Sequence, residues 1–186
     1  RYSILLTQYS KMIYQPAEDS FLMSEVLENE IPKLKKINPD LKILEIGSGS
    51  GIQLQTLTDL GIKKKNIFSC DINPDVVKHC KKMGFNCIQS DLFEKIKGSF
   101  DIIVFNPPYL PENKYDKNKD TTAGKKGNEI ILKFLKQAKN YLAKNGKILL
   151  LTSSLTPKIN FEKYDYKFKL IKNKKLFFEE LFVWGL

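Results

Sequence analysis

From residue 41 onward, short apolar runs alternate with amphipathic stretches, and no other feature of the 186-residue chain constrains its fold as much. Residues 41–46, 66–70, 86–90, 100–105 and 146–152 predict strands. Between them, residues 51–60, 75–83 and 128–143 predict helices. Gly61 and Gly84 stand where the first two helices would stop, and Asn73-Pro74 where the second would begin. Ile131, Phe134, Leu135, Ala138, Tyr141 and Leu142 recur as the buried face of the third. Strands that are apolar throughout, separated by helices, imply a parallel sheet covered on both faces. The end of the chain differs. Two β-rich stretches, 166–171 and 177–184, have no helix pattern between them, and Asn173-Lys174 offers a turn, which predicts an antiparallel hairpin.

Ahead of this core, residues 2–14 are apolar and aromatic and predict a short strand. Pro16, Glu18 and Asp19 suit a helix N-terminus, and Phe21, Leu22, Val26 and Leu27 follow at helical spacing. Pro32 and the lysines after it predict an exposed connection. The expected organisation is one domain over 1–186, with 1–40 an N-terminal segment and helix and 41–186 the core. No run approaches the roughly 20 apolar residues of a membrane helix, and residues 1–6 are too short for a secretory signal. Cys70, Cys80 and Cys87 form no Cys-x-x-Cys pair, and His79 is the only histidine. A zinc site and a histidine-based triad are therefore both disfavoured, and structural cysteines of a reduced, cytoplasmic protein are expected. Thirty-one Lys and Arg against 21 Asp and Glu give +10. That charge suits an acidic partner such as nucleic acid, or equally a Lys-rich solvated surface, since Arg1 is the only arginine.

Residues 41–51 read as a strand, a glycine loop and a helix start, with Gly47, Gly49 and Gly51 allowing a ligand to lie against the backbone. The spacing is Gly-x-Gly-x-Gly, and Ile52 occupies the place of a nicotinamide fingerprint's third glycine. Glu45 precedes the loop, Asp71 ends the second strand, and Asp91 ends the third. Any one of these acids could be a turn or helix cap. Three in register line the crevice of an open α/β sheet, where Asp71 could accept ribose hydroxyls and Asp91 an adenine amino group. An acid-rich crevice repels a pyrophosphate and suits a hydroxyl-bearing, cationic cofactor, S-adenosylmethionine.

The fourth strand runs into Asn106-Pro107-Pro108-Tyr109. An Asn-Pro-Pro turn can serve only to end a strand. Behind a cofactor loop it can do chemistry. The Asn106 side-chain oxygen and the Pro107 carbonyl can accept the two N–H groups of a planar –NH₂. Both bonds strengthen as that nitrogen gains positive character, which favours the transition state. Pro108 holds Pro107 extended, and Tyr109 offers a ring to stack on the substrate.

Residues 14–22, 45–51, 71–74, 90–93 and 106–109 together resemble the HemK/PrmC-type release-factor glutamine methyltransferases, in particular their short archaeal and eukaryotic branch. The resemblance covers nearly the whole chain and includes Ala123-Gly124 and Gly127-Asn128-Glu129; Thr122 and Lys125 depart from it. It implies a Rossmann-like class I methyltransferase with a mostly parallel seven-stranded sheet, an antiparallel C-terminal hairpin and helices on both faces. It implies S-adenosylmethionine-dependent N5-methylation of the glutamine in the Gly-Gly-Gln motif of a class-1 translation termination factor. By the same resemblance Tyr14 and Ser20 flank the methionine end of the cofactor, with Glu45 and Gly47 beneath it. Asp71 and Ile72 hold the ribose, Asp91 and Leu92 the adenine, and Asn106 belongs to both cofactor and substrate sites. A small zinc-ribbon activator subunit is implied at the strand edge over 86–90.

A nucleic-acid amino-methyltransferase, acting on adenine N6 or a related base amine, would use Asn106 to Tyr109 equally well, and +10 favours it. Such an enzyme must extract its base and read neighbouring sequence, usually with added recognition elements. The Lys- and Asp-rich segment 109–126 is the one candidate substrate loop in the sequence. A catalytically silent cofactor-binding subunit would need a damaged motif, and the motif is intact.

Overall fold

A computed structural model describes residues 13–108 and 127–186. Residues 2–12 of the stretch 2–14 in which a strand is expected, Tyr109 and the segment 110–126, with Thr122 to Lys125, lie outside the described residues.

Seven strands form one sheet: β1 Ile43–Ile46, β2 Ile67–Asp71, β3 Asn86–Gln89, β4 Phe100–Phe105, β5 Leu142–Ser153, β6 Lys169–Lys175 and β7 Glu180–Gly185. Their order is β3-β2-β1-β4-β5-β7-β6. The first five pair in parallel, and β7 runs antiparallel to both β5 and β6. Helices α1 Glu18–Ile37, α2 Ile52–Asp59, α3 Pro74–Lys82 and α4 Glu129–Ala138 cover it. This is the Rossmann-like class I methyltransferase architecture, with the expected antiparallel finish.

The apolar strands divide their side chains between two layers, as period-2 alternation requires. Ile43, Ile102, Val104, Leu149 and Leu151 pack with Leu22, Val26, Leu27, Ile31, Leu54 and Leu57 of α1 and α2. Leu44, Ile46, Ile103, Phe105, Ile148 and Leu150 pack on the other side with Ile131, Phe134, Leu135 and Ala138 of α4. Continuous apolar runs are thus what two covered faces demand.

Five expectations need correction. Pro32 does not end α1, which continues to Ile37. Proline removes the bond to the carbonyl of Glu28, but Glu28 and Pro32 both lie on the exposed face, where solvent can reach that carbonyl. Phe21 is half-exposed rather than part of the buried stripe. The fourth helix ends at Ala138, and β5 starts at Leu142, well before residue 146. There Asn145 takes a left-handed backbone, and a Cβ on Gly146 would stand 2.9 Å from the Phe100 carbonyl oxygen. Asn145 and Gly146 lie inside β5, where its register on β4 shifts from Phe100–Leu142 to Ile102–Lys147, while the helix itself gives way to a short 3-10 turn over Lys139–Tyr141. Finally, Asn173 and Lys174 are not a turn. They pair within β6 against Phe182 and Leu181, and the hairpin turns over 176–179, where the Leu176 N–H donates to the Glu179 carbonyl. Phe177 and Phe178, expected in the last strand, sit in that turn, 92% and 86% exposed.

Among the described residues no helix is long and apolar enough to cross a membrane. Cys70, Cys80 and Cys87 are free and buried.

Candidate active site

The C-terminal ends of β1, β2, β3 and β4 open onto one cleft of about 380 Å³. A crevice in that place is what a parallel α/β sheet provides where its strand order reverses. The reversal here lies between β1 and β4.

The glycine loop is tied to β2. The Gly47 N–H donates to the Cys70 carbonyl at 2.8 Å, and the Gly51 N–H closes a turn on the Ser48 carbonyl at 2.8 Å. Gly47 and Gly49 border the cleft with Ser48 and Ser50; Gly51 does not. Its role is conformational. It caps α2 at φ +79°, and a Cβ there would meet the Met83 sulfur at 3.1 Å.

Asp71 borders the cleft, and its carboxylate also holds the loop. Oδ2 accepts from the Gly49 N–H at 3.1 Å and Oδ1 from the Asn73 N–H at 2.9 Å. The loop role is thus seen directly, and the same carboxylate stands where it could also accept a ligand's hydroxyls. Replacing Asp71 by alanine is therefore expected to weaken cofactor binding by about 10- to 100-fold, through lost contact and a loosened loop. Calorimetry checks this, and unchanged affinity would reject the ribose contact.

Ile72 is exposed at the rim, and Leu92 is buried with its backbone at φ +49°. Asp91 follows β3 and accepts an ion pair from Lys133 of α4 at 2.6 Å through Oδ2. That bond fixes the carboxylate, whose other oxygen could accept from a ligand's amino group.

Glu45 is 3% exposed, and its Oε2 has no hydrogen-bond partner. Burial pushes its carboxyl well above the usual carboxylate range, with the nearby Cys87 and Asp71 adding to the rise.

The first turn of α1 closes the cleft from the other side. Tyr14 and Ser20 border it as expected. So do Asp19, expected as a helix-start acid, and Gln53, for which no role is expected from the sequence. The Tyr14 hydroxyl donates to the Asp19 carboxylate at 3.1 Å. Burial, then the charge of Asp19, push the Tyr14 phenol well above its ordinary range. Gln53 bridges two elements: Nε2 donates to the Ser20 carbonyl at 2.8 Å, and Oε1 accepts from the Ser24 hydroxyl at 3.0 Å. The link from Gln53 of α2 to the first turn of α1 spans 33 residues and has no local sequence signal.

Asn106 follows β4 directly. Its Nδ2 donates to Asp19 Oδ2 at 3.1 Å, while its Oδ1 is buried with no partner. Pro107 and Pro108 complete the wall.

Four acids line the cleft, namely Asp19, Glu45, Asp71 and Asp91, and no Lys or Arg does so among the described residues. Two orphaned buried oxygens, on Glu45 and Asn106, sit in this wall. That chemistry fits S-adenosylmethionine, which brings hydroxyls, an amino group and positive charge, and excludes a pyrophosphate. Glu45, Asp71 and Asp91 would hold it along the sheet, with Tyr14 and Ser20 over the end nearest Asn106.

A family model for the methyltransferase small domain matches residues 22–175. A candidate protein N5-glutamine methyltransferase of Methanocaldococcus jannaschii is 38% identical, over 92% of this chain and 89% of its own length. Methyltransferase HEMK2 of Mus musculus is 30% identical, over 75% of this chain and 71% of its own. Among solved structures, the E. cuniculi Mtq2–Trm112 complex, responsible for methylation of the eRF1 translation termination factor, superposes with a TM-score of 0.70. It is 24% identical, over 93% of this chain and 96% of that one, and shows the shared fold. The family match runs from α1 into β6 and so takes in every strand end that opens onto the cleft: the chain belongs to the methyltransferase small domain family and is an S-adenosylmethionine-dependent methyltransferase.

Proposed function

We propose that this enzyme methylates the N5 amide nitrogen of the glutamine in the Gly-Gly-Gln motif of a class-1 translation termination factor. The observation that carries the reading is the Asn106 carboxamide. Its nitrogen is committed to Asp19, and its oxygen, buried and unpartnered, is left for an N–H. The 38% identical relative is itself named as a candidate protein N5-glutamine methyltransferase, which supports an amide as the acceptor.

When bound, S-adenosylmethionine supplies an electrophilic methyl group on a sulfonium. The residues of this chain do the rest. Asn106 Oδ1 accepts one N–H of the glutamine amide, and the Pro107 carbonyl accepts the other. Both acceptors draw density toward a nitrogen whose lone pair must leave conjugation, and both bonds tighten as that nitrogen becomes positive. Pro107 and Pro108 bring no competing backbone N–H and keep the acceptors fixed. Tyr109 is assigned to stack on the amide plane. Alignment of donor and acceptor in a dry cleft supplies much of the rate.

A small zinc-ribbon activator is proposed at the outer edge of the sheet. β3 is an edge strand among the described residues, with Asn86 and Gln89 exposed, and Ile72 nearby is 67% exposed. An added strand would pair its free backbone groups and cover apolar surface. The E. cuniculi neighbour is itself described as a two-protein complex. Action in the cytoplasm, where termination factors work, follows from the reading.

Labelled-methyl transfer should be measured on a termination factor, its Gly-Gly-Gln glutamine-to-alanine variant, DNA and RNA, each with and without the activator. Label is expected only in the unaltered factor, and more with activator. Label confined to nucleic acid would overturn the reading in favour of base-amine methylation, which the +10 charge suits.

A further inference from the structure

We infer that Asp19 is a positioning residue for methyl transfer, fixing the Asn106 carboxamide so that Oδ1 is the atom offered to the substrate. The inference rests on the reading of Asn106 as acceptor of an amide N–H. Asp19 lies in the first turn of α1, 87 residues before Asn106 in sequence, yet receives its Nδ2 at 3.1 Å.

An asparagine carboxamide is nearly symmetric in shape and opposite in chemistry at its two ends. Rotated by half a turn, Asn106 would present an NH₂ where the substrate also presents one, donor against donor. A carboxylate accepts hydrogen bonds and cannot donate them, so Asp19 selects one orientation. The flipped rotamer would set Oδ1 against Asp19 Oδ2, two acceptors in a buried place. The selected rotamer leaves Oδ1 orphaned in the free protein, which is the state observed.

Asp19 is itself held. It is 4% exposed. Its Oδ1 accepts from the Ser20 N–H at 2.6 Å and from the Ser20 hydroxyl at 3.3 Å. The Tyr14 hydroxyl lies 3.1 and 3.2 Å from the two carboxylate oxygens. Gln53 then pins the same turn of α1 to α2 through the Ser20 carbonyl. The carboxylate therefore has donors on both oxygens and cannot swing away. Its negative charge also polarises the carboxamide, making Oδ1 the stronger acceptor. That effect grows in value as the substrate nitrogen becomes positive.

The test is Asp19→Asn. With the Ser20 N–H still holding its oxygen, an amide at position 19 turns its NH₂ toward Asn106 and no longer selects the orientation that offers Oδ1 to the substrate. With the termination-factor substrate, kcat is expected to fall about 10- to 100-fold, the weight of one charge-assisted hydrogen bond. KM is expected to stay close to wild type, and the cofactor Kd from calorimetry to rise far less than kcat falls, since Asp19→Asn removes the charge of one of the four cleft acids. A second measurement needs no variant. In wild-type protein with ¹⁵N-asparagine, one Asn106 Nδ2 proton is expected far downfield and protected from exchange. Wild-type kcat in Asp19→Asn, a cofactor affinity that falls as far as kcat, or freely exchanging Asn106 amide protons would each overturn the inference. A wild-type enzyme that labels no glutamine substrate overturns the functional reading instead.

Discussion

Asn106→Ala is expected to reduce methyl transfer by about 10²- to 10³-fold while leaving cofactor affinity near wild type. The size follows from where the lost bond acts. Oδ1 has no partner in the free protein, so its full hydrogen-bonding capacity is available to the reacting amide. A bond that forms in a dry cleft and strengthens with developing charge lowers the barrier more than it strengthens substrate binding. The loss should therefore fall on kcat and leave KM little changed. Folding will also suffer, and for a separate reason. Asp19 loses the Asn106 donor, though Ser20 and Tyr14 still donate to it. One missing donor on a buried carboxylate costs about 1–3 kcal/mol, so unfolding must be followed alongside turnover. Single-turnover kinetics at saturating cofactor separates the two effects. Full activity in a folded Asn106→Ala would remove Asn106 from the chemistry.

The parts of this molecule that sequence displays are those whose cause is local. β4 is legible to the residue because all of Phe100–Phe105 but Asp101 must be apolar to serve two packed layers. α3 is legible because Asn73 caps it, accepting from the Asp75 N–H, and Pro74 opens it. The Asn-Pro-Pro turn is legible because its proline spacing has few uses. What hid was settled by distant partners. Pro32 reads as a break until the exposed face around Glu28 is known. Asn173-Lys174 reads as a turn until its pairing with β7 is seen. The same holds in the cleft. Asp71 and Asp91 were placed by strand position, but nothing near residue 91 announces Lys133, 42 residues on. Asp19 looked like a helix-dipole residue, which it also is, since it lies in the first turn of α1. Its second task depends on a contact across 87 residues, and no spacing rule reaches that far.

Glu45 sets the second large expectation: cofactor binding should release a proton, and Glu45→Gln should abolish that release. In the free protein the carboxyl is 3% exposed with one oxygen unpartnered, and burial raises it well above the ordinary range. An acid whose folded value is raised binds more protons in the native than in the unfolded state. Stability then falls as pH rises, from the ordinary carboxylate range up through the raised value. The slope reaches about 1.4 kcal/mol per pH unit for one proton. Wild-type cofactor-free protein should thus lose stability to urea as pH rises across that window, and Glu45→Gln, which stays neutral, should not. A cationic ligand in the cleft reverses the balance, because opposite charge favours the ionised form. Cofactor affinity should therefore rise with pH across the same window, by up to about tenfold per unit. In Glu45→Gln the affinity should be lower by about 10- to 100-fold and flat with pH. Calorimetry in buffers of differing ionisation enthalpy reads the proton directly. Equal buffer dependence in the two proteins would show that the linked proton sits elsewhere, and would take Glu45 out of the cofactor's electrostatic balance.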